Sequence, residues 1–268
     1  MKSLKELYRI GPGPSSSHTL GPQRACRLFQ KRYPMAHHYE VELYGSLSLT
    51  GKGHLTDAII METMKPKACL VFFKNKKDLK HPNTMRLIAF DEKNQEIGDM
   101  IVYSIGGGAI RVEGETSNEG KDVYPHHFLK DILEYCEAHA MELWEYVNMF
   151  DPLGDYMDKI MDQMIKTVDG GLQKEDVLPG DLHLKRIAKE LKKQADECKS
   201  AVEKEKLLLC AYAYSASEEN AGGSITVTAP TLGSSGILPS LVYYYHKNLG
   251  YSRAVSYTHL TLPTICSV

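Results

Sequence analysis

Between residues 115 and 128 the hydrophobic period of this chain changes from that of strands to that of helices, and a single-class fold cannot hold both halves. Upstream, His38 to Leu43 alternates with Tyr39, Val41 and Leu43 on one side. Ala68 to Phe73 is a compact apolar run, and Met85 to Phe90 and Ile97 to Tyr103 face each other across Glu92-Lys93-Asn94 as a hairpin. Downstream, Leu129, Ile132, Leu133, Cys136 and Ala140 recur at helical spacing, as do Tyr156, Ile160, Met164 and Val168 before a stop at Asp169-Gly170-Gly171. Leu184, Ile187, Ala188, Leu191 and Ala195 predict a further helix, with Lys185, Lys189, Lys192 and Lys193 on a solvated face. Glu203 to Ser217 is apolar nearly all round and predicts a buried helix, and another is expected from Leu238 through Tyr245. The expectation is an α+β chain: a mixed α/β domain over 1–150, then a mostly helical, incomplete domain over 151–254. Residues 255–268, Thr-rich and interrupting the helical pattern, read as a non-native read-through tail and are left out of the fold.

Between the upstream strands lie loops with more polar chemistry than turns require. Residues 11–24 hold three Gly, three Pro and three consecutive Ser, which predicts a loop with accessible amides, followed by a helix through Ala25, Leu28 and Phe29. Ser15, Ser16, Ser17, His18 and Thr19 stand together just before that helix. Such an arrangement suits a bound carboxylate, and equally suits an elaborate N-cap. A second turn runs from Gly45 to His54, with a helix expected from Thr56-Asp57 through Ile59, Ile60 and Met61. It is not a nucleotide-binding P-loop: five residues separate Gly45 from Gly51 where four are needed, and Gly53 stands where Ser or Thr is required. It leaves Lys52 to pair with a carboxylate and His54 to move a proton near neutral pH. His81 to Met85 and Ser104 to Gly108 read chiefly as turn chemistry. Near the far end, Glu218-Glu219-Asn220-Ala221-Gly222-Gly223 closes a helix; the glycines make a C-cap, and Asn220 has no structural reason to be there.

A formal net charge of −2 excludes a global field for nucleic acid or anionic membrane, and no run of 18 apolar residues offers a membrane span. The first ten residues lack a signal sequence, which predicts a cytoplasmic address. Cys26, Cys69, Cys136, Cys198, Cys210 and Cys266 form no C-x-x-C pair and read as reduced thiols, mostly core filler.

The Ser15–Pro22 block, the Tyr44–Asp57 block and the Ser104–Gly108 block resemble the β domain of bacterial iron–sulfur L-serine dehydratases. The Glu218–Gly223 block and the Thr228–Pro239 block resemble the start of that family's helical α domain, in the family's order and over roughly residues 4–254. The resemblance implies β-elimination of L-serine to pyruvate and ammonia, with a [4Fe-4S] cluster as Lewis acid on the leaving hydroxyl. It implies His18 and His54 as acid/base groups, and Ser15, Ser16, Ser17, Thr19, Thr50, Lys52 and Asn220 as substrate contacts. The partner is then a small amino acid, and a homodimer is compatible with it. Two departures stand out. Ser235, or Leu232, occupies a position where a cluster cysteine is expected, and the family's later cysteine motifs do not follow. The chain alone is therefore expected to lack a cluster and to be inactive. The competing reading is a non-catalytic ligand-sensing or docking β module of a two-part dehydratase. A serine hydrolase built on Ser17 and His18 is weaker, because adjacent loop residues rarely face each other and no Gly-x-Ser-x-Gly elbow is present.

Overall fold

The computed structural model describes residues 1–75, 78–115, 122–180, 182–229 and 231–253, and the chain forms an α+β fold in two compact units. One unit is Pro12–Asn118; the other combines Met1–Gly11 with Glu119–Val268. The chain opens with α1 (Leu4–Leu7) and β1 (Ile10–Pro12).

The continuous unit is a five-stranded mixed sheet with helices on one face. In chain order it runs α2 (Gly21–Arg32), β2 (His38–Gly45), α3 (Ser46–Thr50), α4 (Thr56–Met64), β3 (Ala68–Phe73), β4 (Asn83–Phe90), β5 (Glu96–Gly106) and β6 (Ala109–Val112). The sheet order is β3-β2-β4-β5-β6; β2 and β3 are parallel and the other pairs antiparallel. The alternation of β2 does what a half-buried strand should: Tyr39, Val41 and Leu43 are buried, and Glu40 and Glu42 point the other way. The buried set meets Ala25, Cys26 and Phe29 of α2, Ile60 and Met64 of α4, and Met85, Leu87 and Val102 from the neighbouring strands. The opposite face carries charge: Arg86 lies 2.8 Å from Asp99 and 3.3 Å from Glu96.

Two expected loops are helical in large part. Ser16–Leu20 is a π-helical turn that runs directly into α2, and Ser46–Thr50 is a short α-helix followed by a 3₁₀ turn, Lys52–His54. Gly45 explains the second. Its φ of 56° and the Pro82 carbonyl, which would sit 2.3 Å from a Cβ there, admit no side chain, so β2 turns sharply into α3. The three glycines after Ile105 end β5 and turn it into β6, a strand the sequence did not announce.

The helical unit contains α5 (Leu129–Ala138), α6 (Leu143–Phe150), α7 (Tyr156–Gly171), α8 (Ala188–Glu197), α9 (Ala201–Ala221), β7 (Ile225–Val227) and α10 (Ile237–Tyr243), extended by a π-helical turn, Tyr244–Asn248. β7 pairs with β1, and Arg9 N–H donates to Thr228 Oγ1 at 2.8 Å, so the first residues of the chain belong to this unit. One core gathers Leu4, Tyr8, Ile132, Tyr146, Ile160, Met164 and Val242; a second, around α9, gathers Val168, Ala195, Leu208, Ala211 and Tyr212. Three expectations need correcting. Leu184 and Ile187 precede α8 and are exposed, because the Glu218 carboxylate, accepting from Ile187 N–H at 2.7 Å and Ala188 N–H at 3.3 Å, starts the helix there. The helix expected over Glu203–Ser217 continues to Ala221, and it is not buried all round: Cys210 and Tyr214 are exposed. The cysteines are mixed: Cys26 and Cys136 are core, Cys69 and Cys198 half-buried, and Cys210 exposed. Cys266 and the segment 255–268 lie outside the described residues. Among the described residues no helix is long and apolar enough to cross a membrane.

Candidate active site

The first site-bearing segment is organised by its own hydroxyls. Ser15, in extended backbone, accepts from His18 N–H at 3.2 Å through Oγ and so caps the π-helical turn. Thr19 is fully buried; its hydroxyl donates to Pro12 O at 3.0 Å and accepts from Ser15 N–H at 3.2 Å. Ser15 and Thr19 therefore hold the turn. Ser16 is buried, and Ser17 is half-buried with its hydroxyl 3.0 Å from His18 Nδ1. The expectation that adjacent Ser17 and His18 would not face each other is thus overturned, because the π-helical turn swings the imidazole back over the preceding residue. No serine-hydrolase relay results: the other ring nitrogen, Nε2, faces two hydroxyls, Ser46 Oγ at 3.1 Å and Thr50 Oγ1 at 3.0 Å, where a relay needs a carboxylate.

α3 and the 3₁₀ turn supply the other half. Thr50 sits at the end of α3, its hydroxyl donating back to Ser46 O at 2.9 Å. His54 lies one helical turn further on, and its Nδ1 is 2.9 Å from Thr50 O. The rings of His18 and His54 meet with centroids 4.6 Å apart and planes tilted by 32°. Lys52 is exposed beside them in sequence, its Nζ 5.5 Å from the centre of the Phe73 ring. His18, by contrast, is only 8% exposed. Burial, and then the neighbouring His54, hold its ring below the ordinary histidine value of 6.5, against a smaller upward pull from the Ser46 backbone. Both causes favour the neutral form of the buried His18 ring.

The remaining motifs fall elsewhere. His81, Asn83 and Thr84 are turn chemistry: Asn83 N–H donates to His81 Nδ1 at 3.0 Å and Thr84 Oγ1 to His81 O at 2.6 Å. Asn220 belongs to the helical unit, buried at the end of α9. Beside it is a network that the sequence did not reveal. Glu219 receives Arg186 at 2.9 Å and Lys174 at 2.8 Å, and Arg186 also reaches Asp176 at 2.7 Å. Desolvation raises the neighbouring Glu218 carboxyl above the usual range. Two consecutive carboxylates after the apolar run of α9 were the available signal. Ser46 was also missed; its spacing of four from Thr50 is informative only once α3 is known to be a helix.

An iron–sulfur cluster needs thiolates brought together. Burial pushes the Cys26 thiol well up and the Cys69 thiol up to about 12, and burial also raises Cys136. Cys198 is bonded to Ser200 O at 3.6 Å, and Ser235 is buried with its hydroxyl donating to Leu232 O at 2.6 Å. Among the described residues no three Cys, His, Asp or Glu side chains gather as a metal-holding group. These described thiols, which do not gather with other ligands and of which three are raised by burial, do not fit a cluster.

Residues 3–65 and 60–115 match the family described as serine dehydratase beta chain, and residues 115–265 match serine dehydratase alpha chain. The second match runs into the segment whose composition reads as a read-through tail. Among curated relatives, the L-serine dehydratase of Helicobacter pylori is 30% identical over 92% of this chain and 66% of its own length. That of Haemophilus influenzae is 30% identical over 92% and 67%, and L-serine dehydratase TdcG of Escherichia coli is 30% identical over 92% and 66%. The chain thus spans about two thirds of the length of the curated relatives it matches.

Proposed function

The chain belongs to the serine dehydratase family, and from that premise we propose that it forms part of an L-serine ammonia-lyase, which converts L-serine to pyruvate and ammonia. The observation that supports this most is the pairing of His18 and His54, two imidazoles from separate segments brought within 4.6 Å beside a hydroxyl-lined turn. β-Elimination needs a neutral base for a weakly acidic Cα proton and a way for the β-hydroxyl to leave as water. The aminoacrylate left behind tautomerises to an imine, and hydrolysis releases pyruvate and ammonia.

His54 is the better base. The Thr50 carbonyl can only accept, so Nδ1 of a neutral His54 carries the proton and Nε2 is left with its lone pair. Protonating His54 places a positive charge beside His18 and keeps that buried ring neutral. Lys52, exposed on the 3₁₀ turn, can pair with the substrate carboxylate, and Ser17 can accept from the substrate ammonium while donating to His18. Ser15 and Thr19 act through the shape of the turn. The setting proposed is the reducing cytoplasm, with a [4Fe-4S] cluster supplied by cysteines other than those described.

The test is a pyruvate assay on the full-length enzyme and on this chain, each after anaerobic treatment with iron and sulfide and with visible absorbance recorded. Serine-dependent pyruvate from the full-length enzyme, reduced at least 100-fold by His54→Asn, is expected; full activity in that variant would refute the base assignment. This chain alone is expected to develop no cluster band and no turnover.

A further inference from the structure

The hydroxyl of Thr50 has one proton and two neighbours. It lies 2.9 Å from Ser46 O and 3.0 Å from His18 Nε2. A carbonyl oxygen has only lone pairs to offer, so the Thr50 proton goes to Ser46, and toward His18 the same oxygen can only accept. His18 Nε2 must then carry the ring proton. The lone pair is left on Nδ1, which faces the hydroxyls of Ser17 at 3.0 Å and Ser15 at 3.4 Å. Ser46 Oγ, 3.1 Å from Nε2, does not choose between tautomers, because its hydroxyl can turn to donate or to accept. The Thr50 carbonyl meanwhile lies 2.9 Å from His54 Nδ1 and demands a proton there.

We infer that Thr50 is a positioning residue that sets the tautomers of both imidazoles, in opposite senses: its hydroxyl oxygen holds His18 as the Nε2–H form, and its carbonyl holds His54 as the Nδ1–H form. Thr50 therefore acts through the histidines and not as the substrate contact that the sequence suggested. The device is economical in geometry. One residue at the end of α3 meets a ring from the Ser16–Leu20 turn with its side chain and a ring one helical turn further on with its backbone. The two lone pairs are consequently on different atoms, Nδ1 of His18 toward the serine turn and Nε2 of His54 away from α3. The catalytic meaning of this arrangement rests on the acid–base reading of the pair given above; the tautomers themselves do not.

Long-range proton–nitrogen correlation spectra of the ¹⁵N-labelled chain, recorded at a pH where both rings are neutral, test the inference directly. His18 should show a proton-bearing Nε2 and a bare Nδ1, and His54 the reverse. Thr50→Val removes one acceptor and leaves His18 Nε2 facing the Ser46 hydroxyl and the weaker pull of the Ser46 backbone, so its two nitrogen shifts should move toward each other. His54, whose carbonyl partner survives the substitution, should not change, and Thr50→Ser should restore the wild-type pattern. A wild-type His18 with its proton on Nδ1, or a Thr50→Val spectrum identical to wild type, overturns the inference; if the valine variant does not fold, the wild-type spectrum decides alone. Absence of serine turnover by the full-length enzyme would sink the dehydratase reading without altering these spectra, and reversed tautomers would sink this inference without altering turnover.

Discussion

His18 is a residue that the fold prefers in one protonation state. Its ring releases its proton at a lower pH in the folded chain than in the unfolded one, chiefly because burial penalises the cation. Below about pH 6.5 the unfolded chain therefore binds more protons, and stability falls as pH falls until it levels off below the folded value. The midpoint of thermal unfolding followed from pH 8 to pH 5 should show this decline, and His18→Gln should flatten it; an unchanged slope in that variant would place the cause elsewhere. The histidines themselves were legible in the sequence, since each sits in a short block of unusual residue types. What was not legible is which nitrogen of each ring is bare. For His18 that depends on whether Thr50 donates to its own helix, and for His54 on the Thr50 carbonyl lying one turn back, so both depend on the local helical geometry. Thr19 shows the same limit: a hydroxyl in a loop looks available until the chain folds it inward onto Pro12.

Helix contacts make sharper demands than helix propensity does. α7 ends against α9 so closely that a Cβ on Gly171 would lie 2.5 Å from Ser215 O and 2.4 Å from its hydroxyl. Gly171→Ala should therefore destabilise the helical unit by about 1–3 kcal/mol through overpacking, although alanine is the better helix former; urea unfolding measures it, and a stabilised variant would contradict the contact. α8 and α9 are joined differently, by Glu218 capping the start of α8. Because desolvation raises that carboxyl, ionising it opposes folding, and stability declines as pH rises from the usual carboxylate range through the Glu218 value. Glu218→Gln keeps an acceptor for the two amides and removes the buried charge, so at pH 8 the variant should unfold at a higher urea concentration than wild type; a large loss would mean that the charge itself holds α8. At this scale the long elements could be read beforehand. β2 alternates, β4 and β5 are apolar runs facing each other across a turn, and α5 and α7 keep a helical period. The short ones could not, because α3, β6, β1 and β7 are each too brief to show a period and exist through their partners. The start of α8 was misplaced for a related reason, its cap standing about thirty residues away in sequence.

Across the whole chain the five described thiols differ in reach and in chemistry. Alkylation of the native protein at pH 8 should modify Cys210 first, since it is exposed. Cys69, with its thiol pushed up to about 12, should react slowly despite partial exposure, and Cys26 only after denaturant is added. Early labelling of Cys26, read by peptide mass spectrometry, would contradict the sheet unit's core. The α+β class followed from the change of period, but the assignment of the first eleven residues to the helical unit did not, because a three-residue strand says nothing about a partner across the chain. That pairing has a consequence for how the molecule comes into being. Arg9 finds Thr228 only after another 219 positions have been added. During translation β1 thus waits, its edge uncovered, while the sheet that follows it can already close upon itself. β1 is therefore among the later elements to be paired, and until then its open edge is a place where a wrong partner could add.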